Sequence, residues 1–289
     1  MTIWTDLANT AFKLYFVDAA GIRTRVLEAG EGEPMVLLHG TGGHIEAYAR
    51  NIPELSKHFR VICIDMIGHG YTDKPNKPYG IDVYSEHLKD VLDALGLTKV
   101  YLSGESLGGW VAAWFAAEHP EYVHSLVLNT PGNVTSKPEV MEALKSSTLK
   151  AVVEASYENV KTRLEWLMFD KTQVTDELIQ ARYDIYTQPS YQEAIHHIVY
   201  LQDVEARKKF IWDPSWCSKI SVPTLLCWTS HDPTSTVEEG KVLLEMIPGS
   251  EFAVIESAGH WPQWEKVEDF NRVLISYFLN NVVEFELVN

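Results

Sequence analysis

The pentapeptide Gly104-Glu105-Ser106-Leu107-Gly108 joins two stretches of opposite character. Before it, Val100 to Leu102 is a short, unalternating apolar run, the pattern of a strand covered on both faces. After it, Leu107 to Ala117 carries apolar residues at helical spacing. A G-x-S-x-G pattern at a strand-to-helix junction predicts a sharp turn that strains the serine backbone, with glycines where side chains would collide. Ser106 should then project its hydroxyl above a sheet edge, at a helix N-terminus whose dipole favours developing negative charge. Such a turn requires a sheet with a helix packed close behind it.

The rest of the chain supplies that sheet. Short apolar runs recur at Met35 to Leu38, Val61 to Ile64, Leu126 to Leu128, Thr224 to Trp228 and Phe252 to Ile255. Segments of helical spacing lie between several of them, such as Val83, His87, Leu88, Val91 and Leu95, and a last one carries Phe270, Val273, Leu274, Tyr277 and Phe278. Alternating strands and helices imply an α/β chain with a mostly parallel, doubly wound sheet. Phe12 to Asp18 and Ile22 to Glu28 are strand-like about Ala20-Gly21, so a hairpin should come first. Between Pro131 and Pro214 the alternation stops, and the sequence becomes amphipathic and helix-like, the pattern of an inserted helical cap. The expected division is residues 1–132 and 215–289 for the core and 133–214 for the cap.

A hydrophobic content of 46% over 289 residues is ample for a sizeable core. With 24 basic and 40 acidic residues the net charge is −16, which suits a soluble surface and argues against nucleic acid or an anionic membrane as partner. Self-association into a homo-oligomer is left open. Cys63, Cys217 and Cys227 are odd in number and lack metal-like spacing, so they read as reduced thiols of a cytoplasmic protein. Met1 to Lys13 lacks the basic and apolar regions of a signal peptide, and no apolar run reaches the roughly 18 residues of a membrane span.

A serine hydroxyl needs a base to take its proton, and the base needs an orienting acid. His260 follows the last core strand run, and Asp232 follows the preceding one, so a Ser106, Asp232, His260 order is expected. His231 is adjacent to Asp232 and wrongly placed for the base, and Asn129 is an amide where an acid would be needed. The developing oxyanion needs donors: the backbone N–H of Leu107 is one, and Thr41 or Gly42 in His39-Gly40-Thr41-Gly42-Gly43 is the other. His39, Asp65 and His69 read as structural. The His196-His197 pair and the absence of H-E-x-x-H give no basis for a metal site, and no GxGxxG follows a strand, so no metal or organic cofactor is expected.

His39-Gly40, Asp65 to Lys74, Gly104 to Gly109, Asp232 and Gly259-His260-Trp261-Pro262-Gln263-Trp264-Glu265 together resemble the meta-cleavage product hydrolases of the α/β-hydrolase fold. The likeness spans the chain, including the cap segment Phe169 to Pro189. It implies hydrolysis of a carbon–carbon bond in a vinylogous 1,5-diketone, giving a 2-hydroxypentadienoate and a carboxylic acid in bacterial aromatic degradation. By the same resemblance Arg182, in Leu178-Ile179-Gln180-Ala181-Arg182-Tyr183, binds the dienoate carboxylate, and Trp261 lines the site beside the base. Two departures stand out. Glu105 occupies a position where many members carry Asn, and the loop from Gly40 to His44 is shorter than the family's, which leaves Asn51 without an assignment. A carboxylesterase or lactonase would use the same triad, and a noncatalytic small-molecule receptor could use the same fold.

Overall fold

The computed structural model describes residues 3–134 and 137–282. The strands are β1 (Phe12–Ala19), β2 (Ile22–Ala29), β3 (Pro34–Leu38), β4 (Arg60–Ile64), β5 (Val100–Glu105), β6 (Val123–Asn129), β7 (Thr224–Thr229) and β8 (Glu251–Ile255). They form one eight-stranded sheet in the order β1-β2-β4-β3-β5-β6-β7-β8. Only β2 runs against its neighbours, and every pair from β4 to β8 is parallel. The opening hairpin turns on Ala20 and Gly21, whose φ values of 49° and 89° are the two positive angles of a tight hairpin turn.

Strand alternation divides the core between the two faces of the sheet. Val36, Leu38, Ile62 and Ile64 pack on one side, and Met35, Leu37, Val61 and Cys63 on the other. The first side is covered by helices Ile81–Ala94 and Leu107–Glu118, the second by Val267–Asn280. Helix Leu107–Glu118 is buried nearly all round, which fits its almost uniformly apolar sequence and its run of Gly and Ala. All three cysteines are unpaired and buried, and burial pushes each thiol up, to about 11 for Cys217 and about 12 for Cys227, so none is poised as a nucleophile.

Between β6 and β7 the described chain is helical, with long helices Pro138–Val153, Tyr157–Leu167, Asp176–Tyr186 and Pro189–Ile198. Their starts are written in the sequence: Pro138 and Pro189 occupy first turns, and the Ser156 and Thr175 side chains accept from the N–H groups of Asn159 and Leu178. Asp213-Pro214 likewise opens a short helix, Pro214–Cys217, with Asp213 as its cap. Trp216 of that helix packs on Trp114 at a ring distance of 5.0 Å, tying the excursion's end to the core. No helix among the described residues is long and apolar enough to cross a membrane.

Candidate active site

The turn at Ser106 has the expected strain: φ is 53° and ψ is −116°. Two close approaches make this turn possible. A Cβ on Gly104 would lie 2.2 Å from the Gly108 carbonyl oxygen, and one on Gly108 would lie 2.3 Å from that of Leu38. Only hydrogen fits at either position, so the glycines set how tightly strand and helix meet. The Ser106 carbonyl accepts from Trp110 N and Gly132 N, which locks the turn from both the helix and the loop after β6.

Asp232 leaves β7 and His260 follows β8, and the two meet: His260 Nδ1 lies 2.7 Å from Asp232 Oδ2. The other aspartate oxygen accepts from the backbone N–H and hydroxyl of Thr234, both at 2.7 Å. The imidazole's second nitrogen faces a group that sequence reasoning had marked only as a departure. His260 Nε2 lies 3.1 Å from Glu105 Oε1. Glu105 is 1% exposed, and its carboxylate fills the space that a side chain on Gly40 would occupy. Burial alone would push the imidazole's pKa down, but Asp232 and then Glu105 outweigh it and raise it to about 10.

The histidine loop is strapped to the helical excursion. His260 N donates to Leu167 O at 2.7 Å, while the Glu265 carboxylate accepts from Gly259 N and from Asp170 N, both at 2.9 Å. Trp264 Nε1 donates to Gln173 O, and the Arg50 guanidinium lies 3.9 Å over the Trp264 ring. The sequence Gly259 to Glu265 therefore clamps the histidine loop to the helical excursion.

Thr41, Ser106, Leu107, His260 and Trp261 line one cavity. The Gly42 carbonyl accepts from Tyr186 Oη at 3.0 Å, and a side chain at Gly42 would collide with the same hydroxyl. His39 is a loop anchor, bonded to Gly40 O and accepting from Met66 N, and burial, then the nearby His69, keeps it neutral by pushing its pKa well down. Asp65 accepts from Ile45 N and Tyr71 N and faces Arg25, which also pairs with Glu46 at 2.8 Å. That buried network holds the short glycine loop, and Asn51 faces Asn271 on the last helix. His197 bonds Asn76, and no group of three or more metal-ligating side chains gathers among the described residues.

Arg182 is fully buried on helix Asp176–Tyr186, 4.8 Å over the Trp261 ring and 5.7 Å over that of Tyr186. None of its guanidinium nitrogens has a hydrogen-bond partner. Arg163 and Arg207, which no sequence motif marked, line the cavity from the helical excursion.

Residues 33–267 match the family described as alpha/beta hydrolase fold. A 2-hydroxy-6-oxo-6-(2'-aminophenyl)hexa-2,4-dienoic acid hydrolase from Metapseudomonas resinovorans is 32% identical over 279 residues, covering 94% of this chain and 93% of its own. A 2-hydroxy-6-oxononadienedioate/2-hydroxy-6-oxononatrienedioate hydrolase from Comamonas testosteroni is 31% identical, covering 94% and 98%. The crystal structure of the meta-cleavage product hydrolase CumD from Pseudomonas fluorescens IP01 superposes with a TM-score of 0.81 at 30% identity, covering 92% and 97%. The chain belongs to the meta-cleavage product hydrolases of the α/β-hydrolase fold. Within that family its Glu105 places a second carboxylate on the imidazole, on the side opposite Asp232.

Proposed function

We propose that this meta-cleavage product hydrolase cleaves the carbon–carbon bond next to the ketone of a vinylogous 1,5-diketone, a 2-hydroxy-6-oxohexa-2,4-dienoate, giving a 2-hydroxypentadienoate and a carboxylic acid. The observation that carries this reading over a generic esterase is Arg182. A fully buried guanidinium without any partner is costly, and a dienoate carboxylate offers it two parallel hydrogen bonds. An ester or lactone without a carboxylate would leave that cost standing.

In this reading residues 133–214 are the cap over the nucleophile. The dienol first tautomerises to the ketone, with His260 moving the proton. Ser106 Oγ then bonds to the ketone carbon and gives its proton to His260, held by Asp232, while the N–H groups of Leu107 and Thr41 receive the oxyanion. The carbon–carbon bond breaks with its electron pair leaving on the dienoate, which is protonated. His260 next activates water against the acyl-enzyme. For His260 to accept the serine's proton its Nε2 must be unprotonated, and the neighbouring Glu105 carboxylate, after Asp232, favours the charged imidazole instead.

Replacing Arg182 tests the reading. Arg182→Gln should lower kcat/KM for a meta-cleavage product by about 10² or more, corresponding to roughly 3 kcal/mol of lost transition-state stabilisation, and change hydrolysis of a neutral p-nitrophenyl ester far less. Equal losses on both substrates would make Arg182 structural and leave the esterase reading standing.

A further inference from the structure

We propose that Glu105 is a specificity-determining residue: its carboxylate keeps a proton on His260 Nε2, so that an enolate, which can take that proton, is turned over in preference to an ester, which cannot. The inference rests on the carbon–carbon hydrolase reading and deepens it. Glu105 acts through His260, as a positioning residue for the base's proton.

Glu105 shares the cavity lining with Ser106 and His260, yet it is 1% exposed. Neither of its oxygens receives a hydrogen bond among the described residues, and the His260 ring, 3.1 Å away, is the one cation paired with it there. A buried carboxylate without donors is costly unless a positive charge faces it. An imidazole meets that need only with a proton on each nitrogen. Its Nδ1 is matched to Asp232 at 2.7 Å, with the hydroxyls of Thr234 at 3.2 Å and Thr130 at 3.5 Å beside it. The remaining charged groups of the lining, Arg163 and Arg207, form no ion pair with Glu105 among the described residues. Burial pulls the imidazole's pKa down, and Asp232 followed by Glu105 reverses this. An amide at position 105, as in many relatives, would place no charge against Nε2.

A charged imidazole cannot take the proton of Ser106, so the resting enzyme has an acid where an esterase has a base. A 2-hydroxy-6-oxo-2,4-dienoate removes that block. Its enol is conjugated through two double bonds to a ketone, which makes it a vinylogous carboxylic acid and lets it arrive as a dienolate. The proton on His260 Nε2 moves to C5. The oxyanion pair forms the C2 carbonyl, the C2–C3 pair becomes the C3–C4 double bond, and the C4–C5 pair forms the new C–H bond. One transfer thus leaves His260 neutral and turns C6 from a vinylogous carboxylate carbon into an ordinary ketone. Nε2 then faces the Glu105 carboxylate without a proton, which makes it a stronger acceptor for the proton of Ser106. An ester has no such carbon and waits for the small neutral fraction of His260.

The test compares a p-nitrophenyl ester with 2-hydroxy-6-oxohepta-2,4-dienoate. At pH 7, Glu105→Gln should raise kcat/KM on the ester by about 10-fold or more and slow ketonisation of the dienoate, seen in stopped flow as loss of visible absorbance, by a similar factor. A residue that merely supports the fold would lower both. The wild type gives a readout independent of how the variant folds: ester hydrolysis should climb by about tenfold per pH unit from 7 to 9, and dienoate turnover by less than about threefold in all. Losses on both substrates in the variant, no change on either, or the same pH dependence for ester and dienoate in the wild type would overturn the proposal. If the wild type turns over the dienoate and any of these results follows, this inference alone fails. If it leaves the dienoate intact, the carbon–carbon hydrolase reading fails as well.

Discussion

Glu105 and Ser106 are adjacent in sequence, but the elbow sends their side chains to different tasks: the serine lines the cavity, and the carboxylate lies under the imidazole. With carboxylates on both nitrogens, His260 has its pKa raised from 6.5 to about 10 and carries its proton at neutral pH. A protonated imidazole cannot serve as a base, so kcat/KM on an ester should rise with pH along a limb set above the ordinary histidine range. Glu105→Gln removes one carboxylate, and the limb should move down toward that range. Paired pH–rate profiles check this, and a limb that stays in place would mean the Glu105 carboxylate is not coupled to the base. The same groups contribute to stability with a defined sign. Because the folded pKa is raised, the contribution is fully present below 6.5 and is lost as pH rises through about 10.

At the scale of elements, the strap between the histidine loop and the helical excursion depends on Glu265, which accepts from Gly259 N and Asp170 N. Glu265→Gln would turn one acceptor into a donor facing an N–H. It should destabilise the fold by about 1–3 kcal/mol, seen as a lower Tm, and should also lower turnover by loosening His260. Unchanged Tm and turnover would mean that the Leu167 carbonyl and Trp264 hold the loop unaided. The elements themselves were legible. Short apolar runs flanked by helical spacing marked β3 to β8, and Ala20-Gly21 marked the hairpin. Strand order gave Ser106, Asp232 and His260 their places, because loops leaving parallel strands converge on one edge. Three features were not legible, each for a physical reason. Glu105 sits at the free position of its motif, and its direction depends on what Gly40 leaves empty. Arg163 and Arg207 have the spacing of solvated helix charges, and only the packing of the helical excursion buries them. The surroundings of Gly42, whose carbonyl accepts from Tyr186 Oη, depend on a residue some 144 positions away in the chain.

Over the whole molecule, an acidic chain of net charge −16 encloses, besides the carboxylate-paired Arg25, three further buried arginines among the described residues, Arg163, Arg182 and Arg207. The surface charge repels an anionic substrate at long range, and salt screens that repulsion, whereas the buried guanidiniums act at contact and are screened far less. In the proposed reading, holding the substrate's carboxylate therefore falls to the buried, unpartnered Arg182. The most direct measurement of this account follows the visible absorbance of 2-hydroxy-6-oxo-2,4-dienoates mixed with the wild type and with Ser106→Ala, and assays the products. The wild type should bleach the dienoate while releasing one 2-hydroxypentadienoate and one carboxylic acid per molecule consumed. Ser106→Ala should bind it but turn over slower by a factor on the order of 10⁶. Wild-type protein that leaves the dienoates intact while hydrolysing simple esters, or a Ser106→Ala variant that keeps more than about a tenth of the wild-type rate, would contradict the account.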